Sequence, residues 1–261
     1  MRVLFIGDIV GEPGRRAVEM IMPRIIKREG VDFIIANGEN AAGGSGITPA
    51  LADGLFGHGI DVITSGDHIW KKKEIVEELG SDKRILRPAN YPDGAPGFGY
   101  GVFESEEGIN VGVINLVGRV FMQAVECPFR VAREIVDKIK DKARVIIVDM
   151  HAEATSEKIA LGYYLDGQVS AVLGTHTHVQ TADDKILSGG TAFISDVGMT
   201  GPFDGVIGRK KEQIIKRFIT QLPSKFEMAE GDIQLHGVIL DIDDKTGRAN
   251  SIKRVQEKLA G

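Results

Sequence analysis

Ser170-Ala171-Val172-Leu173-Gly174-Thr175-His176-Thr177-His178 carries a short apolar run straight into two histidines. A run of this length, with no polar alternation, predicts a strand buried on both faces. Gly174 lets the backbone approach a ligand and lets the chain turn. If the strand continues through His176-Thr177-His178, its period of two points both imidazoles to one face. The same grammar recurs four times. Val3 to Ile6 ends in Gly7-Asp8, and Phe33 to Ala36 in Asn37-Gly38-Glu39-Asn40. Val62 to Thr64 ends in Ser65-Gly66-Asp67-His68, and Val145 to Val148 in Asp149-Met150-His151. In α/β sheets, ligands bind at the carboxyl ends of strands.

Between these runs the spacing predicts helices. Val18, Ile21, Met22, Ile25 and Ile26 give helical periodicity over 15–29, after a Gly-Glu-Pro-Gly turn and before a closing Gly30. Helices are also predicted at Pro49 to Phe56, with Thr48 as N-cap, at 71–79, at 128–141 and at about 210–221. Residues 100–104 and 110–115 read as a hairpin, and 191–195 as a further strand. Residues 233–242 alternate and suit a half-exposed antiparallel strand. Strand–helix alternation argues an α/β fold with two packed sheets, a β-sandwich core flanked by helices. With no repeat or linker composition, 1–261 is expected to be a single domain.

The composition agrees. A chain of 28.3 kDa folds to roughly 11,000 Å² of surface from about 41,000 Å² unfolded, enough to bury a core without staples. One cysteine, Cys127, excludes a disulfide framework and a cysteine-rich zinc site, and fits a reducing compartment. No apolar stretch approaches a membrane span, so a cytoplasmic protein without membrane contact is expected. Net charge is -5 with mixed signs. No basic groove with interleaved aromatics is evident, so RNA is only an open partner class. The 33 glycines are nearly twice the usual ~7% share.

Taken singly, the strand-end residues have ordinary readings. An Asp after a strand caps a turn, and a lone His is hydrogen-bonded. Taken together they point to metal. Three histidines and three carboxylates plus an Asn exceed one tetrahedral site and suit two ions. Imidazole and carboxylate without thiolate suit Fe, Mn or Zn. Gly43-Gly44-Ser45-Gly46 follows no strand directly and lacks G-K-[ST], which excludes a phosphate loop. An amidohydrolase would carry H-x-H after its first strand, not a late one. His58 reads as a helix-end residue, His236 as a packing or surface residue, and Cys127 as structural.

These motifs resemble the calcineurin-like metallophosphoesterases. Gly7-Asp8, Gly38-Glu39-Asn40, Gly66-Asp67-His68, His151 and Gly174-Thr175-His176-Thr177-His178 follow that family's order over 8–178. The whole chain is similar to the YmdB-type branch, through Gly38-Glu39-Asn40-Ala41-Ala42, His151 to Lys158, Gly174 to Asp183 and Asp196 to Pro202. The resemblance implies two transition-metal ions, iron first and manganese next, and phosphodiesterase activity on small phosphodiesters, including cyclic nucleotides. It implies that Asp8, Glu39 and His178 hold one metal, and that Asn40, Asp67, His151 and His176 complete the second, with Glu39 bridging. His68 would be the general acid, protonating the group displaced by a hydroxide held between the ions. A homo-oligomer is compatible with all of this.

Two departures stand out. Val10 occupies the position, two residues after the first Asp, where most of the superfamily has a His, a loss the branch shares. Asp67 replaces the Asn of the family's GNH. Its oxygen can still coordinate, but it adds negative charge and removes an amide donor. This motivates an alternative: a regulatory nucleotide- or phosphate-binding protein with a catalytically weakened metal site.

Overall fold

The computed structural model describes residues 1–260. The chain opens with β1 (Arg2–Ile6), β2 (Asp8–Ile9), α1 (Gly11–Glu29), β3 (Phe33–Asn37), α2 (Pro49–Gly57), β4 (Val62–Thr64) and α3 (Ile75–Ser81). A second run follows: β5 (Tyr100–Glu104), β6 (Asn110–Val117), α4 (Pro128–Ile139), β7 (Val145–His151), α5 (Thr155–Leu165), β8 (Ala171–Thr175), β9 (Lys185–Ile186) and β10 (Ala192–Ile194). The last part adds β11 (Met199–Pro202), α6 (Lys211–Thr220), β12 (Ile233–Ile242) and β13 (Ala249–Lys258).

Among the described residues the strands form two sheets, one ordered β2-β11-β12-β1-β3-β4 with β13 on β12, the other β5-β6-β7-β8-β10-β9. Period two explains why their central strands are apolar throughout. Val3 and Phe5 point between the sheets, against Val113, Ile147 and Leu173. Leu4 and Ile6 point the other way, under Val18, Ile21, Met22 and Ile25 of α1. On the second sheet, Ile146, Val148 and Val172 face α4 and α5. The result is the expected mixed α/β sandwich, helices outside two sheets. Its surface is 11549 Å².

β1, β3 and β4 run parallel, as do β6, β7, β8 and β10. Their carboxyl ends therefore meet at one edge of the sandwich, where the polar residues gather.

Several elements differ from expectation. Gly11-Glu12-Pro13-Gly14 is the first turn of α1, not a turn before it. Proline is tolerated there because the first helical N–H groups have no intrahelical partner. The helix expected over 71–79 is a 3₁₀ turn at Ile69–Lys71 followed by α3. Thr48 sits at the N-cap of α2 but makes no side-chain capping bond. β12 is mostly buried rather than half-exposed, because β13, invisible to the sequence reading, pairs along it opposite β1. β7 extends to His151, so Asp149 and His151 belong to the strand itself. α5 has no counterpart among the expected helices. Its inward face carries Lys158 and Gly162 beside Leu161 and Leu165, which dilutes the apolar stripe.

Candidate metal centre

At the shared edge, Glu39, Asp67, His151 and His176 each bring one ligand atom to a cluster spanning no more than 4.8 Å. His151 is the hub. Its Nε2 lies 3.3 Å from Glu39 Oε1, 3.4 Å from Asp67 Oδ1 and 3.0 Å from His176 Nδ1. Beside it, Asp8 Oδ1 lies 3.7 Å from His178 Nε2, and Asn40 Nδ2 reaches both Glu39 Oε1 (3.0 Å) and His178 Nε2 (3.2 Å). Glu39 thus touches both groups. Asn40 Oδ1 turns away from the cluster, toward His68 Nδ1 at 2.9 Å. The structure brings together all eight residues singled out in the sequence: Asp8, Glu39, Asn40, Asp67, His68, His151, His176 and His178.

The backbone that delivers the H-x-H pair is not the one expected. β8 ends at Thr175, and His176 and His178 have φ of 100° and 65°. This left-handed geometry is unusual outside glycine. The imidazoles share a site because the loop folds back, not because a strand continues. Asp196 holds that loop. Its Oδ2 accepts from Thr177 N–H (3.0 Å) and Thr177 Oγ1 (2.7 Å), and Lys158 Nζ lies 2.9 Å from the same oxygen. Lys158 and Asp196 are both buried. Gly66 serves close approach: a Cβ there would fall on the His151 ring and Glu39 Oε2.

A polar floor lies beneath. Asp149 accepts from Thr64 Oγ1 (2.6 Å), Thr175 Oγ1 (2.7 Å) and Asn37 Nδ2 (3.1 Å), joining the two sheets. Burial pushes the Asp149 carboxyl up to about 6. With its hydroxyl hydrogen spent on Asp149, Thr175 Oγ1 accepts from His151 Nδ1–H at 2.9 Å. That fixes the ring with Nε2 toward the cluster, the arrangement that orients metal-binding histidines. Asn37, Thr64, Thr175, Lys158 and Asp196 all lie inside stretches quoted from the sequence, but none was assigned a role there. For Asn37, Thr64, Thr175 and Asp196 the available signal was polarity inside or just after otherwise apolar strands; Lys158 lies on α5, at the end of the His151 to Lys158 motif.

The donor set fits cations. Oxygens and ring nitrogens converge with few hydrogens between them. Asp8 Oδ1 and Asp67 Oδ1 are buried and have no hydrogen-bond partner, the state a cation relieves. Burial disfavours charge on His151, yet the carboxylates of Glu39, Asp67 and Asp8 hold its pKa well above the usual histidine range. Burial likewise opposes ionisation of Glu39, but His151 and His68 hold its pKa well below the carboxylate range. Asp8 is raised, chiefly by burial. Burial and the neighbouring His151 push His176 down to about 4. Without a cation, therefore, a proton on His151 supplies the positive charge the carboxylates require. Metal binding displaces such protons.

A cavity of about 570 Å³ opens in front of the cluster, with Glu39, Asn40, His68, His176 and His178 at one end. Its size is that of a small-molecule site.

The sequence profile of the family described as YmdB-like protein matches residues 4–255. The chain belongs to this family. Among similar proteins, a Bacillus subtilis (strain 168) protein named 2′,3′-cyclic-nucleotide 2′-phosphodiesterase is 50% identical over 255 residues, covering 98% of this chain and 96% of that protein. A crystal structure of a hypothetical protein from Thermus thermophilus superposes with TM-score 0.92 at 42% identity, covering 99% of both chains. One described as a novel phosphatase from Mycoplasma pneumoniae superposes with TM-score 0.93 at 32% identity, covering 99% of this chain and 93% of that one. The two-sheet sandwich is therefore shared along nearly the full length, and the family is the one the sequence resemblance implied.

Proposed function

We propose that this YmdB-like protein is a metal-dependent phosphodiesterase that hydrolyses small nucleotide phosphodiesters, 2′,3′-cyclic nucleotides among them. The observation that carries the reading is the convergence of Glu39, Asp67, His151 and His176 on one cluster, of which Glu39 and His176 line a ligand-sized cavity. The name of the half-identical B. subtilis relative supports the substrate class.

Glu39, Asp67, His151 and His176 would hold one ion, and Asp8 and His178 the other, with Glu39 between and Asn40 beside both. Bound ions supply Lewis-acid polarisation of the phosphoryl group and a water of lowered pKa. Iron is the first choice and manganese the second, an order that rests on the family resemblance; the imidazole–carboxylate donor set supports a transition metal.

The chain's own contribution centres on His68. Its Nδ1–H donates to Asn40 Oδ1 at 2.9 Å, and the ring lines the cavity. Nε2 is then the atom that holds a proton for the departing alkoxide. Asn40 and Glu39 fix the ring, since Glu39 Oε2 also accepts the His68 backbone N–H at 3.2 Å. The Lys158–Asp196 pair keeps Thr177, and with it the two flanking histidines, in place.

The binding-protein alternative is not favoured. Asp67 has not withdrawn a ligand atom, for its Oδ1 remains 3.4 Å from His151 Nε2. The reading takes 1–261 as one catalytic domain, supported by the pairing of β1 with β12. It places the protein in the cytoplasm, a reading that rests on the cysteine-poor composition, one Cys in 261 residues. Among the described residues no helix is long and apolar enough to cross a membrane.

The test is reconstitution with iron or manganese, metal analysis, and assay on adenosine 2′,3′-cyclic phosphate. His68→Ala at constant metal content is expected to lose about 10²–10⁴-fold in turnover. No retained transition metal and no hydrolysis with either ion would sink the reading. Unchanged turnover in His68→Ala would remove His68 from it.

A further inference from the structure

Phosphate chemistry accounts for only one end of the cavity. An adjoining wall is built from the 206–226 segment and is largely apolar: Val206, Ile207, Phe218 and Phe226, with Arg217 among them. α6 is seated by buried Ile214, and Phe218 follows one turn later on the same face, over the cavity.

Three observations indicate that this wall is built for a ligand. Phe218 is 74% exposed and Ile207 51% exposed, large apolar side chains left in water at the mouth of a polar site. Ile207 has φ of 44°, a conformation costly for a β-branched residue, and such strain gathers at functional sites. Its carbonyl lies 3.4 Å from His178 Nδ1, so the strained residue ties the wall to the candidate metal ligands. Arg217 is exposed, and its guanidinium lies over the Phe226 ring, 5.1 Å from the centroid. Arg209, by contrast, is occupied in donating to the carbonyls of Gly43 and Gly44.

We infer that Ile207, Phe218, Phe226 and Arg217 form the subsite for the nucleobase of the substrate, and so set a preference for nucleosides over base-free phosphodiesters. The inference rests on the phosphodiesterase reading and deepens it. A base is planar, aromatic at its faces and polar at its rim. Aromatic side chains stack on its face, and a guanidinium stacks on it or meets its rim. The wall is continuous with the site of reaction, and a volume of about 570 Å³ lies within the range of nucleotide-sized pockets.

The test compares adenosine 2′,3′-cyclic phosphate with 1-O-methylribose 2′,3′-cyclic phosphate, the same reacting ring without a base, on manganese-loaded protein. Phe218→Ala removes an exposed side chain and should fold normally. It is expected to raise KM for the adenosine compound about tenfold with kcat little changed, the mark of lost uniform binding. KM for the base-free compound should stay unmoved, and Phe218→Tyr should restore the wild-type value. Equal effects on both substrates, or none on the nucleotide, while wild type turns over both, would overturn the inference and leave the phosphodiesterase reading intact. So would a Phe218→Ala variant that splits a dimer in light scattering with both KM values unchanged, since the wall would then be an interface between copies. Wild type that turns over neither substrate would sink the phosphodiesterase reading and this inference with it.

Discussion

Lys158→Met removes the one positive charge bonded to Asp196 among the described residues. Both side chains are fully buried, Nζ to Oδ2 at 2.9 Å. Breaking one partner of a buried pair leaves an uncompensated charge, at a cost of about 3–5 kcal/mol. Asp196 keeps other donors: Thr177 N–H, Thr177 Oγ1 and, at its Oδ1, Gly198 N–H at 2.9 Å. These hold the expected loss to the lower end, about 3 kcal/mol. Neutralising both partners in Lys158→Met/Asp196→Asn removes the stranded charge. The double variant should therefore lose less than the two single losses added, with a coupling of about 1–3 kcal/mol. Urea unfolding of chelator-treated protein at pH 7 reads this directly, without contribution from bound metal. The single variant should also hold metal more weakly, since Thr177 sits between His176 and His178. A loss below about 1 kcal/mol for Lys158→Met, or strict additivity in the cycle, would refute the reasoning.

Further expectations concern other parts of the fold. Burial pushes His236 down to about 4, below the ~6.5 of a free histidine. The unfolded chain then binds more protons than the folded one between those values, so stability falls as pH drops from about 6.5 to 4. His236→Gln should flatten that slope in urea titrations at pH 7.5 and pH 5, and an unchanged slope would assign it to other groups. Gly66→Ala drives a methyl onto His151 and Glu39. It should cost about 1–3 kcal/mol and lower the metal per chain by elemental analysis; full metal content in a stable variant would contradict the packing described. Asp67→Asn restores an amide donor and removes a negative charge, and should raise turnover or phosphate affinity. Equal kinetics would show that the exchange is silent.

Much of this arrangement was legible because two-faced burial leaves a plain mark. Val3 to Ile6, Phe33 to Ala36 and Val145 to Val148 are apolar throughout, and the residues that follow them converge. What escaped the sequence did so for physical reasons. α5 turns Lys158 inward to meet a carboxylate 38 residues away, and no periodicity reports an ion pair. β13 exposes much of its length, so its charged residues hid a strand. Thr175 and Asn37 matter through Asp149, a partner supplied by tertiary structure. The His176 and His178 geometry depends on φ angles that residue type does not encode. The apolar wall at Phe218 reads in sequence as an ordinary helix face, and only its position over the cavity gives it meaning.

The placement of β1 has a consequence for synthesis. Its neighbours are β3, available at once, and β12, some 235 residues later. Until β12 emerges, β1 presents an unpaired edge, and the first sheet lacks the strand that joins its two halves. At about 5–20 residues per second this interval lasts roughly 10–50 s. Asp8 waits about seven-tenths as long for the His176 N–H, 168 residues away. The site therefore closes late on the ribosome, and the nascent chain spends that time with an exposed strand edge but no finished pocket for a metal.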